Sequence, residues 1–175
     1  IGRKAWAYAQ DQYPTTHPIV ADIPDIPAAT NNFDGITYAK GASVLKQLVA
    51  WVGEDAFYQG VRLYFQRHAN GATSLDDLLT ALEEASGYDL ASWKDAWLLT
   101  TGPSKLSVRT TSDEDGKVTS LTLLQEGLAR PHCLNISYWT SRGDALQCIS
   151  KDRVRIEGRD LSLSVPEEFS VPGGA

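Results

Sequence analysis

The sequence predicts an α+β protein, a helical bundle followed by a small antiparallel β-sandwich-like domain. Three observations lead there. Apolar residues recur at helical spacing through the first part of the chain, the period falls towards two after Pro103, and two hairpin signatures follow. The expected division is therefore a helical segment, residues 1–103, and a β-rich segment with a tail, residues 104–175.

The helical elements read in order. "GRKAWAYAQDQ" supports a short helix with Ala5, Trp6 and Ala9 near one face. It runs into "YPTTHPIVADIPDIPAATNN", where four prolines forbid continuous helix and favour extended or turn structure. A long irregular loop is expected there, the kind of segment that commonly carries function. In "NNFDGITYAKGASVLKQLVAWVG" helical period returns. Tyr38, Ala42, Leu45, Val49 and Val52 fall on one stripe, Leu48 adjoins it, and Gly53 ends the helix. "EDAFYQGVRLYFQRHAN" follows, with Phe57, Val61, Tyr64 and Phe65 inward and Arg62, Gln66 and Arg67 outward. "TSLDDLLTALEEASG" opens with a Ser74-x-x-Asp77 capping pattern and closes at Gly87. A last helix, "DLASWKDAWLLTTG", carries Leu90, Trp93, Trp97 and Leu98 and stops at Gly102-Pro103. Short connections make these a packed bundle.

The remainder reads as strands. "KLSVRTT" and "KVTSLTLLQ" flank the turn "SDEDG", and "HCLNISYWT" and "DALQCIS" flank "SRG". "DRVRIEG" and "RDLSLSV" complete a small sheet, before a linker-like "VPGGA". Leu106, Val108, Leu134, Ile136, Tyr138, Val154, Ile156, Leu161 and Leu163 form the expected buried face. Cys133 and Cys148 fall in two of these strands. They are expected as reduced thiols rather than a cross-hairpin disulfide, and they lack the CxxC spacing of a zinc site.

Composition narrows the function. An apolar fraction of 42% with 22% charged residues is that of a globular protein. A net charge of −6 argues against nucleic-acid binding, which needs clustered Lys and Arg. No apolar run approaches the ~20 residues of a membrane span, and no signal-peptide pattern is visible, so no membrane association and a cytoplasmic location are expected. Methionine is absent, and the chain opens on "IGRKAWAYAQ", which already reads as helix. A piece of a longer polypeptide is the expectation.

Few residues invite chemistry. No two of His17, His68 and His132 stand at i, i+4, no H-E-x-x-H occurs, and neither a Gly-rich phosphate loop nor G-x-S-x-G is present. The acidic runs "DEDG", "LEEA" and "PEEF" read as turns and surface, and Trp93 with Trp97 reads as core. Tyr38 stands apart. An aromatic heading an apolar stripe is ordinary core. A phenol at a helix mouth also sits in positive potential, where its O–H can donate to a developing oxyanion. Gly41 would then allow close approach of backbone or substrate, at ~1 kcal/mol of helix propensity. Periodicity leaves both readings open.

"FDGITYAKGASVLKQL" resembles a segment of the aminopeptidase N family of zinc metallopeptidases (gluzincin type), downstream of that family's zinc-binding helix. The family's Tyr-x-Lys-Gly-Ala pattern stands here as Tyr38-Ala39-Lys40-Gly41-Ala42. The order "THPI", irregular loop, "FDGITYAKG" is similar to the family's, as are the helical segment beginning "GEDAFYQG" and the stretch "WKDAWLLTTGPSKL". The wording is especially similar to actinobacterial members. The resemblance implies a helical C-terminal part of a catalytic domain followed by a small β-sandwich domain. It implies an enzyme that removes N-terminal residues from peptides, with zinc polarising the scissile carbonyl and Tyr38 donating to the oxyanion. His17 and Lys40 belong to the same pattern, without an evident physical role, and Asp34 is placed to cap the helix presenting Tyr38.

H-E-x-x-H, a downstream zinc glutamate and the amine-anchoring G-x-M-E-N are not in this sequence. The resemblance therefore places the zinc ligands in the remainder of a parent polypeptide. The isolated chain is expected to hold no cofactor or metal and to hydrolyse no peptide. Two other readings stand beside this one: a non-catalytic helical-plus-sheet module that binds a protein partner, and an epoxide hydrolase sharing the tyrosine.

Overall fold

Helices precede strands in the computed structural model, which describes residues 3–167 and 169 and is α+β. The expected "VPGGA" tail and Glu168 of the "PEEF" run lie outside the described residues. The chain divides into two compact units, Ile1–Pro103 and Ser104–Ala175.

The first unit opens with α1 (Lys4–Gln10), whose buried residue is Ala7; Ala5, Trp6 and Ala9, the expected face, are exposed. The proline-rich segment is less irregular than expected, because α2 (Ile26–Asn31) forms inside it. Asp25 caps α2 by accepting from the Ala28 N–H at 2.8 Å. Pro27 sits in its first turn, where a missing N–H leaves no bond unmade.

A π-helical turn, Ile36–Lys40, then runs into α3 (Gly41–Val52). The buried residues of α3 are Val44, Leu48, Trp51 and Val52. This stripe is displaced by one residue from the expected one: Leu45 and Ala42 are exposed. Tyr38, Ala42 and Leu45 do share one face, as helical spacing puts them, but it is the exposed one. The buried face starts instead from Ile36 and Lys40 and continues through Val44 and Leu48.

Next come α4 (Glu54–Arg67), α5 (Leu75–Ser86) and α6 (Ala91–Leu98). Gly60 allows α4 and α5 to approach closely: a Cβ there would lie 2.9 Å from the Leu82 Cα and 3.0 Å from the Ala81 carbonyl. Phe65 is 66% exposed, not inward, because it lies about 140° round α4 from Gly60. α5 carries the expected capping box, Ser74 N–H to Asp77 at 2.7 Å and Asp77 N–H to Ser74 Oγ at 3.3 Å, and Gly87 ends it with φ 73°. Leu79, Ala81 and Leu82 of α5 and Trp93, Trp97 and Leu98 of α6, with Leu90, complete the helical core.

In the second unit, β1 (Lys105–Ser112), β2 (Val118–Glu126) and β5 (Asp160–Ser164) form one antiparallel sheet in the order β1-β2-β5. The other is the β3 (His132–Arg142) and β4 (Ala145–Ile156) hairpin, turning at Gly143 with φ 62°. "DRVRI" continues β4 instead of starting a new strand, past a register shift at Tyr138/Trp139. Leu121, Leu123, Tyr138 and Ile156 form the core, with Leu134, Ile136, Val154, Leu161 and Leu163 against it. Val108 is 60% exposed, contrary to expectation. A two-stranded layer does not cover three strands, and β1 is the edge left over. Cys133 and Cys148 are free thiols opposite Arg155 and Trp139, so they do not face each other.

Two buried polar residues tie this unit's loops to its strands. Gln125 Nε2 donates to the Arg130 carbonyl at 2.8 Å and to the Gly158 carbonyl at 2.7 Å, and Arg130 N–H returns a bond to Gln125 at 3.1 Å. Arg130 donates to Ser104 Oγ at 3.1 Å. His132 is buried beside them, and burial together with the Arg130 charge lowers its pKa to about 4. The unfolded imidazole takes its proton near pH 6.5, well before the folded one. Stability from this group is thus whole above pH 6.5 and is lost as pH falls towards about 4, by about 3 kcal/mol in all. Urea denaturation of the wild type at pH 7.5 and 4.5 should show a larger loss than in His132→Gln; equal losses would contradict this.

Candidate functional site

Tyr38 lies in the π turn, and the turn's opening N–H groups are all taken by side chains. Asp34 Oδ1 accepts from Ile36 N–H and Thr37 N–H, each at 2.9 Å. Gln10 Oε1 accepts from Gly35 N–H at 2.8 Å. The other Asp34 oxygen receives the Gln10 amide and, at 2.8 Å, His17 Nε2. The Tyr38 N–H reaches back to the Asp34 carbonyl at 3.2 Å, and the Gly35 carbonyl accepts from both Ala39 and Lys40. Asp34 is therefore the cap expected from the sequence, with more partners than a cap needs. Partial burial raises its pKa. Bonds from Thr37 and His17, the His17 charge and the Ile36 N–H outweigh that and hold the carboxyl below its ordinary range. It stays ionised at neutral pH, and the cap weakens only as pH falls through that lowered value.

His17 and Lys40 acquire physical roles. His17 Nδ1 lies 2.8 Å from the Pro18 carbonyl, so both ring nitrogens meet oxygen acceptors. Lys40 points inward at the far end of the turn. Its Nζ lies 2.9 Å from each Asp11 oxygen and 3.3 Å from the Thr100 carbonyl. Asp11 also accepts from Gly102 N–H at 2.9 Å and Thr16 Oγ1 at 3.0 Å. One buried ion pair thus joins the end of α1, the π turn and the chain beyond α6.

The Tyr38 side chain is 53% exposed, so within this chain it is not core. Its ring neighbour is Phe33, centroids 5.7 Å apart. With the N–H groups of residues 35–37 already bonded, the helix mouth presents no free backbone donors there, and the phenol is the group that remains. The glycine needed for close approach is Gly35, not Gly41. A Cβ at Gly35 would lie 2.7 Å from Gln10 Oε1 and 3.0 Å from the Trp6 ring, whereas at Gly41 it would meet Ile36 O at 3.8 Å and Ile19 at 3.9 Å, ordinary contacts.

The remaining histidines stand elsewhere: His68 ends α4 with Nε2 3.9 Å from Asp77, and His132 belongs to the β unit. A cavity of about 200 Å³ in the helical unit is lined by Val44, Leu48, Leu79, Trp93 and Leu98 among others, with no titratable side chain. Sequence reasoning missed Gln10 and Asp11, whose partners, Thr16 apart, lie 24 to 91 residues away and leave no local pattern.

Residues 2–97 match the model described as the peptidase family M1 domain. The chain is 50% identical to aminopeptidase N of Streptomyces lividans over 94% of its own length and 20% of the relative's. It is 34% identical to aminopeptidase N of Escherichia coli over 71% of its length and 14% of the relative's. A crystal structure of Legionella pneumophila aminopeptidase A in complex with aspartic acid shares the fold, with TM-score 0.64 and 19% identity over 77% of this chain and 16% of that one. The chain thus spans a fifth or less of the length of these relatives.

Lys40 and Asp11 are each more than nine-tenths buried, so removing one partner leaves a buried charge without its counter-ion. Lys40→Met is expected to lower the stability of the helical unit by about 3–5 kcal/mol. Asp11→Asn with Lys40→Met should cost less than Lys40→Met alone, because the amide still accepts from Gly102 and Thr16. Chemical denaturation of the three proteins checks this, and a double variant as unstable as the single one would contradict it.

Proposed function

The chain belongs to the M1 family of peptidases, and on that premise we propose that it works as part of an aminopeptidase to which it contributes Tyr38 as the oxyanion donor. The substrates are peptides with a free N-terminus, as the names of the relatives suggest. The observation that carries the reading is an exposed phenol on a turn immobilised from three directions, by Gln10, by the His17–Asp34 pair and by Lys40–Asp11. An aromatic that only packs does not need its backbone held this way.

When water adds to the scissile carbonyl, its oxygen becomes an anion. A phenolic O–H aimed at that position donates more strongly to the anion than to the ground-state carbonyl, which lowers the barrier. The seat of the turn is built before substrate arrives, so little reorganisation accompanies reaction. The helical unit would then form the C-terminal part of the catalytic domain, and the β unit a small domain beside it in sequence. The proposal includes a zinc ion. Among the described residues no group of three or more His, Cys, Asp or Glu is placed to hold a metal. The ligands are therefore assigned to the rest of the longer polypeptide, and no step through the metal is derived.

Kinetics of Tyr38→Phe test the reading in the M1 peptidase that carries these residues. A loss of about 100- to 1,000-fold in kcat is expected, with KM and zinc content unchanged. Equal activity of the two proteins would overturn the role of Tyr38, and a wild type inactive with zinc bound would favour a scaffold that binds protein partners.

A further inference from the structure

We propose that His17 is a positioning residue for Tyr38, acting through Asp34; this rests on the oxyanion-donor reading of Tyr38. The Asp34 carboxylate does two things at once. Through Oδ1 it holds the N–H groups of Ile36 and Thr37, which fixes where the turn begins. Tyr38 follows directly, its own N–H on the Asp34 carbonyl.

A capping carboxylate turns easily about its terminal bond, because that torsion is broad and roughly two-fold. Such a rotation would carry Oδ1 away from both N–H groups. The donors on Oδ2, Gln10 and His17, oppose it. They hold it from different parts of the chain: Gln10 ends α1 and also accepts from Gly35, while His17 comes from the proline-rich segment and is anchored behind by its Pro18 contact at 2.8 Å. The Tyr38 ring is more than half exposed, with Phe33 as its ring neighbour, so its direction depends on the backbone beneath it. His17 is the remote end of that support.

Two measurements test this. The first is kinetics of the M1 peptidase carrying this chain, as wild type, His17→Ala, His17→Gln, Tyr38→Phe and His17→Ala/Tyr38→Phe. His17→Ala is expected to lower kcat about 10- to 100-fold with KM held. His17→Gln should recover part of that, since its amide can donate to Asp34. In the Tyr38→Phe background His17→Ala should add little further loss. A loss of the same size in both backgrounds would overturn the proposal, because it would mark a structural role unconnected with the phenol. The second measurement is fluorine NMR of 3-fluorotyrosine-labelled protein, with the Tyr38 signal assigned by its absence in Tyr38→Phe. That signal should broaden or shift in His17→Ala and less so in His17→Gln; an unchanged signal in both would overturn the coupling. If Tyr38→Phe retains full activity, the donor reading fails, and the fluorine signal alone then decides whether His17 holds the ring. Should His17→Ala not fold, His17→Gln serves in both measurements, with a smaller effect expected and no effect contradicting.

Discussion

The Asp34 carboxylate is the contact on which the rest of the helical unit's site depends. Two oxygens accept from Ile36, Thr37, Gln10 and His17, filling their bonding directions at the mouth of one helix. Those bonds define where the π turn begins, and Tyr38 faces out from it. Gly35 follows from the same arrangement, since any side chain there would collide with Gln10 and Trp6. Gln10 is doubly engaged, giving its amide to Asp34 and taking the Gly35 N–H.

Lys40 closes the turn at its other end. A buried ion pair contributes little net stability, because desolvation of both charges offsets their attraction. The Lys40–Asp11 pair is surrounded by bonds from Gly102, Thr16 and Lys40 to Thr100, so the remaining oxygens find partners. Its effect is to fix register: α1, the turn and the segment after α6 meet at one carboxylate. Behind it, Val44, Leu48, Trp51 and Val52 hold α3 against the bundle.

Much of this was legible in the sequence where the cause is local. Ser74 and Asp77 form a capping box because both partners sit within one turn. The hairpins turn where Gly116 and Gly143 allow positive φ. Asp34 as a cap needed only the residues after it. The failures share a different cause. The α3 stripe differs by one residue because apolar spacing groups Tyr38, Ala42 and Leu45 on one face without showing that this face is open. Val108 is exposed although alternation puts it inside, because alternation shows which face a residue takes, not whether an opposing strand covers it. Gln10 and Asp11 carry no local pattern because most of their partners are remote in sequence, and the roles of His17 and Lys40 depend on those same remote partners.

The central claim is that the Tyr38 hydroxyl is held where an oxyanion forms. A crystal structure of the M1 peptidase carrying this chain, bound to a phosphinic peptide that imitates the tetrahedral intermediate, tests it most directly. The account predicts the Tyr38 hydroxyl about 2.7–3.1 Å from a phosphinate oxygen, with the Asp34 bonds to Ile36, Thr37 and His17 intact. A phosphinate whose oxygens meet other donors, with the Tyr38 ring turned away, would contradict it.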